Sequence, residues 1–151
     1  MDLEHEPEVK KTLEECDLLI DLFQSMELYP AQLLEIKTKL SAYFYFLNRK
    51  KADYQKYQNT DYWIRKVEYG RHAIAARKKI SVNSDLMAGN VANTQIEKEI
   101  ENANISVWRY EHLKASCKGI EMIIFTVGDR LKDAESEKRI SKAQQKGGNS
   151  W

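Results

Sequence analysis

The sequence contains few of the residues that interrupt helices. Only two prolines and six glycines occur among 151 residues, while 31% of the residues are charged. Proline and glycine are the least favourable residues in a helix interior, and few stretches alternate apolar and polar residues as a half-buried strand does. The composition therefore predicts an all-α fold.

Long apolar runs are absent as well. No stretch of 18 apolar residues occurs, so the sequence predicts no transmembrane helix and no membrane association. The acidic start MDLEHEPE has neither the basic region nor the apolar core of a signal peptide. We therefore expect an intracellular, cytoplasmic protein, located in the host cell cytoplasm if it comes from a phage.

Cysteine and histidine are too sparse to suggest a metal centre. Cys16 and Cys117 lie far apart on apolar helical faces, and no CxxC pair occurs, so we expect two reduced, buried thiols and no structural zinc. His5, His72 and His112 look isolated from one another and from acids at ligand spacing. A lone histidine is usually a surface or core residue, so we predict no metal and no cofactor.

Motifs of known catalytic machinery are missing too. There is no Walker loop, Rossmann glycine pattern, nucleophile elbow or HExxH sequence. The carboxylates are scattered along helices and are not paired beside histidine or lysine, as a tuned acid and base would be. The sequence therefore predicts that this chain is not an enzyme.

What the chain does have is one strongly basic segment, residues 48–79. It holds ten lysines or arginines against three acids, a net charge of +7, with tyrosine and tryptophan between the cations. Flat rings can stack on bases while cations meet phosphates, which is how single-stranded nucleic acid is held without reading sequence. The predicted nucleic-acid-binding residues are Arg49, Lys50, Lys51, Tyr54, Lys56, Tyr57, Tyr62, Trp63, Arg65, Lys66, Arg71 and Lys78.

The same segment has a simpler interpretation. A charged helix with aromatic residues along one stripe is more often an ordinary amphipathic helix, with its rings in the core and its cations in water. The charge distribution along the chain favours binding, because residues 1–30 carry a net charge of −7 and the overall charge of +1 hides a local basic surface.

Most of that acidity belongs to a predicted first helix, residues 8–27, which ends before the Tyr29-Pro30 pair. Its predicted buried stripe is Val9, Leu13, Cys16, Ile20 and Phe23. This helix can dock on the basic segment, offer a surface to a basic partner, or simply present a solvated acidic face. The last of these is the commonest situation.

Three further segments are predicted before the closing helix. A second helix starts at Ala31, with the buried stripe Leu33, Ile36, Leu40, Tyr43 and Leu47. Residues 58–61 predict a turn, and a third, weaker helix follows, with Val67 and Ile74 seven residues apart. Ser84 is predicted to cap the next segment, which Gly89 and Asn90 make weak or looped before helix resumes near residue 91.

The closing helix, residues 105–135, carries the most regular apolar repeat. Its spacings of three and four are those of a coiled coil, so we predict an elongated helical bundle with a long C-terminal coiled-coil-like helix. The predicted oligomerisation seam is Tyr110, Leu113, Cys117, Ile120, Ile124, Val127 and Leu131. The equally plausible alternative is one broad stripe facing the core of a monomer.

The domain organisation follows from these segments. Residues 1–135 are predicted to form a single all-helical domain, and residues 136–151 a flexible, mildly basic tail. Trp151 has no evident core to join, so it is either a partner-binding anchor or without a role.

Two regions resemble a known family. The closing helix is led by Trp108 and Tyr110, carries Cys117 and Gly119, and ends in Asp-Arg-Leu-Lys at residues 129–132; upstream lies the basic and tyrosine-containing stretch LNRKKADYQKY, residues 47–57. Together they are similar to the UvsY-like phage recombination mediator family. The resemblance implies an all-helical, ring-like homo-oligomer that binds single-stranded DNA, with DNA contacts at Arg49, Lys50, Lys51 and Lys56.

The expected function combines the residues and the resemblance. We expect a mediator that binds single-stranded DNA and, as the resemblance implies, helps to load a recombinase onto strands covered by single-strand-binding protein. The alternative is a non-enzymatic helical adaptor or inhibitor that acts by protein contact without nucleic acid.

Overall fold

The computed structural model describes residues 3–79 and 81–148, and within these ranges the chain forms four α-helices and no strand. The helices are α1 (Pro7–Ser25), α2 (Pro30–Arg77), α3 (Asp85–Gln95) and α4 (Glu97–Gly148). The predicted all-α fold class with a long C-terminal helix is confirmed. Across the same ranges no helix has the length and apolar character needed to cross a membrane.

The first two helices begin at prolines. Pro7 occupies the first turn of α1, where its fixed φ suits the helix and its missing N–H costs nothing. Met26 is extended and ends α1, and the Tyr29 carbonyl then accepts hydrogen bonds from the backbone N–H groups of Gln32 and Leu33. The predicted break before Pro30 is confirmed.

The predicted turn at residues 58–61 is wrong. α2 continues through it and is 48 residues long. None of these four residues is proline or glycine, and each costs a helix less than about 1 kcal/mol relative to alanine. That cost is small beside the hydrogen bonds gained by extending a helix that has already formed. Asp61, which lies in the predicted turn, accepts a hydrogen bond from the Ser106 hydroxyl on α4.

α3 shows one confirmed prediction and one error. The Ser84 hydroxyl accepts a hydrogen bond from the Met87 N–H at 3.1 Å, so the predicted N-cap is confirmed. Gly89 and Asn90 do not form a loop, because both lie inside the helix. A Cβ on Gly89 would lie 2.8 Å from the Tyr69 hydroxyl. This glycine therefore allows the tyrosine to approach α3 closely.

α4 is longer at both ends than predicted. It begins at Glu97, after Ile96 closes α3 with a hydrogen bond to the Ala92 carbonyl, and continues through Gly148. The predicted flexible tail is therefore helical over residues 136–148, where lysine, arginine, glutamine, glutamate and alanine are good helix formers. Residues 149–151, including Trp151, lie outside the described residues.

The described residues group into two compact units. Unit 1 contains the chain start up to His5 together with Arg49–Lys114, and unit 2 contains Glu6–Asn48 and the chain from Ala115 onward. α2 and α4 each contribute one part to both units. The single domain predicted for residues 1–135 stays a prediction.

Unit 2 has a core of large aliphatic and aromatic side chains. α1, α2 and α4 all contribute, and the buried residues are Val9, Cys16, Phe23, Leu33, Ile36, Leu40, Leu47, Cys117, Ile120 and Val127. The stripes predicted for the first two helices are thus largely confirmed. Arg130 lies over the Phe23 ring, 4.2 Å from its centroid, and covers the edge of this core with a cation–π contact.

Both cysteines belong to unit 2 and are free and buried, as predicted. Burial raises the pKa of the Cys16 thiol to about 12, and the nearby Asp17 carboxylate adds to the effect. A thiol with so high a pKa holds its proton at neutral pH, so Cys16 behaves as a small apolar residue.

Unit 1 has a core of smaller side chains. Four of its buried residues are alanines, and Ala76, Val82 and Ala88 form one cluster against which Val91 packs. The side chain of Arg77 closes the connection to α3, since it lies 3.4 Å from the Asp85 carboxylate and 3.5 Å from the Val82 carbonyl. Small core residues let the helices of unit 1 pack closely, while several larger side chains of α2 remain exposed.

Candidate nucleic-acid interface

The predicted nucleic-acid-binding residues all lie in unit 1, where most of them are on the surface of α2. Nine are exposed, two are half-buried and one is buried. The exposed residues are Arg49, Lys56, Tyr57, Tyr62, Trp63, Arg65, Lys66, Arg71 and Lys78. Lys50 and Lys51 are half-buried. Most of the predicted cations and rings are therefore exposed to solvent.

Tyr54 is the exception. Its side chain is only 2% exposed, and its ring is stacked on His5 with centroids 5.9 Å apart and planes 2° apart. A ring enclosed in this way cannot stack on a base, so the predicted contact role of Tyr54 is wrong. The spacing that places Tyr54 seven residues after Leu47 continues the buried face of α2, which explains its position.

His5, which stacks on Tyr54, belongs to a cluster of aromatic rings. The prediction that the histidines are isolated from one another is therefore wrong for His5 and His112. His5 and His112 are not isolated, because Nε2 of His5 lies 2.7 Å from Nδ1 of His112, and both rings pack against Trp108. Burial, followed by the nearby His112 and Arg109, lowers the pKa of His5 to about 4. In the described part of the chain, no three potential metal-ligating side chains come together.

A first groove lies between α2 and α3 within unit 1. It has a volume of about 390 Å³ and is lined by Tyr62, Arg65, Lys66, Tyr69 and Asn93. Lys66 Nζ lies 5.1 Å from the centre of the Tyr62 ring, a cation–π distance. The groove therefore combines two aromatic walls, two cations and one amide.

A second groove adjoins the first and uses α4 as its other wall. It has a volume of about 300 Å³ and is lined by Gln58, Asn59, Tyr62, Arg65, Ala103, Asn104 and Val107. Tyr62 and Arg65 line both grooves, so the two spaces meet at these side chains. Amide groups can donate to and accept from base edges, which adds hydrogen bonding to stacking.

Two of the three acids in the basic segment already have partners. Asp61 accepts the hydrogen bond from Ser106, and the Glu68 carboxylate lies 2.7 Å from an Arg71 nitrogen and 3.7 Å from His72. Arg71 is thus partly neutralised, whereas Arg65 and Lys66 line the first groove. The positive charge at the grooves comes mainly from these two residues.

The sequence prediction missed the amide side chains. Gln58 and Asn59 were assigned to a turn, and Asn93 and Asn104 were given no role, yet all four line the grooves. Reading residues 58–61 as helix would have placed Gln58 four residues before Tyr62 and seven before Arg65, on one face. Asn93 and Asn104 carry no comparable signal, because their position depends on how α3 and α4 pack.

The predicted oligomerisation seam on α4 is mostly interior. Leu113, Cys117, Ile120 and Val127 are buried, while Tyr110, Ile124 and Leu131 are half-buried. The four buried side chains pack within the chain and are not available to a second copy. The alternative interpretation, a stripe that faces the core, describes α4 better, because it supplies the third side of the unit 2 core.

Comparisons with protein-family models, with curated proteins and with solved structures find no match to this chain. The resemblance to the UvsY-like family therefore depends on the residues quoted for it and stays a prediction.

Proposed function

We propose that this chain binds single-stranded DNA through the two adjoining grooves of unit 1. The observation that carries the proposal is that Tyr62 and Arg65 line both grooves, together with a second tyrosine and several amides. Adjacent spaces that share a ring and a guanidinium suit successive nucleotides of one strand. A rigid duplex hides its base faces and cannot use the rings in this way.

The chemistry divides among three kinds of side chain. Tyr62 and Tyr69 offer flat faces for stacking, and Arg65 and Lys66 supply charge for the phosphates beside those bases. Amides such as Asn93 and Asn104 hydrogen-bond to base edges or sugars without selecting one base. Binding of this kind tolerates any sequence and weakens steeply as salt increases.

Cations outside the grooves extend the path of the strand. Arg49 and Lys56 are exposed on α2 before Gln58, and Lys78 is exposed after the helix ends. The half-buried Lys50 and Lys51 lie in the same basic segment. These residues act through charge alone, so each contributes a small, salt-dependent part of the affinity.

The biological role that fits this binding is that of a recombination mediator. By its resemblance to the UvsY-like family, the chain would act as a non-enzymatic homo-oligomer in the cytoplasm that helps to load a recombinase onto strands covered by single-strand-binding protein. Several copies that hold one strand give firm binding from weak individual sites, because later contacts are intramolecular.

The direct test is fluorescence anisotropy of a labelled single-stranded oligonucleotide. We expect Tyr62→Ala/Arg65→Ala to raise the Kd at least tenfold, since loss of one stacked base alone costs about 1–3 kcal/mol. The matched control is Tyr45→Ala/Arg139→Ala, which removes an exposed tyrosine and an exposed arginine from unit 2. The control should bind like the wild type.

Two results would contradict the proposal. One is equal affinity of the groove variant and the control, and the other is a Kd that stays constant between low and moderate salt. Negligible binding by the wild type and by Lys50→Glu/Lys51→Glu alike would favour the alternative, a helical adaptor or inhibitor that acts by protein contact. The exposed apolar residues of α2 give that alternative its support.

A further inference from the structure

The second half of α2 exposes an apolar row that nothing in the described chain covers. Trp63, Val67 and Ile74 are 63%, 64% and 64% exposed. With Thr60 and Gly70 they are spaced by three and four residues, the spacing of a coiled-coil seam. A Cβ built on Gly70 has no neighbour within 4 Å, so the middle of the row is open. The row is a surface that a helix can enter.

This outward row is distinct from the groove face. Gln58, Tyr62, Arg65 and Tyr69 repeat with spacings of four, three and four, and they line the grooves shared with α3 and α4. α2 therefore carries two rows, and the more apolar of the two is the one in solvent. A row of exposed apolar side chains at coiled-coil spacing is suited to a contact with another helix.

Cations beside the outward row restrict what can cover it. Lys56, Lys66 and Arg71 are exposed near the row, and the segment that contains it has a net charge of +7. Two copies of α2 packed row to row would bring like charges together, which opposes such a pairing. The row instead suits a helix that combines apolar residues with acids.

α1 of unit 2 has these properties. Leu18 and Leu22 are 69% and 40% exposed and lie one turn apart, and Met26, 55% exposed, follows at the end of the helix. Glu14, Asp17 and Asp21 are exposed along the same part of α1. Two α1 helices would repel each other for the same reason as two α2 helices. Each surface is therefore complementary to the other and not to itself.

We propose that α1 of one copy docks on the outward row of α2 in a second copy. Leu18 and Leu22 pack between Trp63, Val67 and Ile74, with Gly70 making room at the centre, while the acids of α1 meet Lys66 and Arg71. Because each copy carries one surface of each kind, the contact is heterologous and joins copies head to tail. Of the residues that line the first groove only Lys66 takes part in this contact, so Tyr62, Arg65 and Tyr69 remain available in the grooves.

The proposal rests on the self-association part of the proposed function and names the surfaces that perform it. The α1 and α2 surfaces take the place of the oligomerisation seam predicted on α4, because four residues of that seam are buried within the chain. It does not depend on nucleic acid, so it is measured without any.

The experiment is sedimentation velocity or light scattering over a range of protein concentrations. We expect the wild type to assemble, with an association that weakens as salt is added. Asp17→Lys/Asp21→Lys and Lys66→Glu/Arg71→Glu should each raise the association Kd at least tenfold. The decisive sample is an equimolar mixture of the two, in which every reversed surface meets a reversed partner and assembly should return.

Matched controls separate the interface from general charge effects. Glu121→Lys/Glu135→Lys reverses two exposed acids on α4 in unit 2, and Lys138→Glu/Lys142→Glu reverses two exposed cations there. Both should assemble like the wild type. Val67→Ser/Ile74→Ser tests the apolar row without changing charge and should weaken assembly, with circular dichroism confirming that the helices remain.

Three results would overturn the proposal. They are a wild type that stays monomeric at every concentration, reversed variants that assemble normally, and a mixture that fails to recover. Binding of a short oligonucleotide by Asp17→Lys/Asp21→Lys gives a separate readout of the grooves. A wild type that binds the oligonucleotide but stays monomeric overturns this proposal alone, and a wild type that assembles but does not bind the oligonucleotide overturns the proposed function alone.

Discussion

The two halves of α2 differ in which side of the helix carries the large apolar residues. In unit 2, Leu33, Ile36, Leu40 and Leu47 are buried. In unit 1, Trp63, Val67 and Ile74 are exposed, while alanines of α3 and α4 form much of the interior. One helix thus serves as a core element in one unit and as a two-sided surface in the other. An apolar repeat at helical spacing therefore does not by itself show whether its residues face the core of the chain or the solvent.

The largest expected effect compares a buried residue in one half of α2 with an exposed residue in the other half. Leu40→Ala should lower the free energy of unfolding by about 3 kcal/mol, because Leu40 is fully buried and its truncation leaves a cavity. Ile74→Ala should change it by less than about 0.5 kcal/mol in dilute solution, since Ile74 is exposed. Urea denaturation followed by circular dichroism measures both.

Leu34→Ala is the matched control, as it removes an exposed leucine from the same half of α2 as Leu40. It should behave like Ile74→Ala. A loss at Ile74 as large as at Leu40, at a concentration where the protein is monomeric, would show that the outward row is buried after all.

The next effect is a pH dependence that belongs to unit 1. The folded pKa of His5 is about 4, below its ordinary value of 6.5, so the unfolded chain binds the proton more readily. The contribution of neutral His5 to the free energy of unfolding is therefore fully present above pH 6.5 and is lost as the pH drops from 6.5 towards 4. We expect His5 to account for about 1 kcal/mol of this loss, less than the full shift implies, because the ring is only half-buried and water screens it.

The measurement compares urea unfolding at pH 7 and pH 5. His5→Gln should lose less stability between these values than the wild type, because its side chain does not titrate. His72→Gln, a change in another histidine of unit 1, should lose as much as the wild type. Equal losses of stability between pH 7 and pH 5 in all three proteins would show that His5 does not cause the pH dependence.

The smallest effect compares two glycines of unit 1. Gly70→Ala should stabilise the protein by about 1 kcal/mol, because alanine is the better helix former and its Cβ meets nothing within 4 Å. Gly89→Ala should gain less or lose stability, because its Cβ would lie 2.8 Å from the Tyr69 hydroxyl. Thermal unfolding measures both.

The Gly89 variant also reports on the grooves. Tyr69 must shift to admit the new methyl group, so Gly89→Ala should weaken oligonucleotide binding while Gly70→Ala does not. A Gly89→Ala protein that is as stable as Gly70→Ala would mean that Tyr69 can move without cost.

Much of the fold followed from local signals. The stripe Val9, Cys16 and Phe23, the break before Pro30 and the cap at Ser84 each depend on residues within a few positions of one another. Helix ends were harder to predict. Residues 58–61 contain no proline or glycine, and their polar side chains are equally compatible with a turn and with the surface of a long helix.

The candidate site was predicted less completely than the fold. Charge and aromatic content identified α2, and most of the predicted cations and rings are exposed. Tyr54 lies seven residues after Leu47 and continues the buried face of α2, but its place among cations led to a predicted contact role; that His5 covers it is not visible in the sequence. Asn93 and Asn104 were missed for the same reason, since they reach the grooves only through the packing of α3 and α4.

The sequence by itself determined that this chain is helical, where its charges are concentrated and which rows of residues repeat at helical spacing. These properties depend on propensity and on residues three or four apart. Only the tertiary structure decided which row faces inward, because that depends on which side of α2 packs against the neighbouring helices. In unit 1, Tyr62, Arg65 and Tyr69 line the grooves together with residues of α3 and α4, while Trp63, Val67 and Ile74 are exposed.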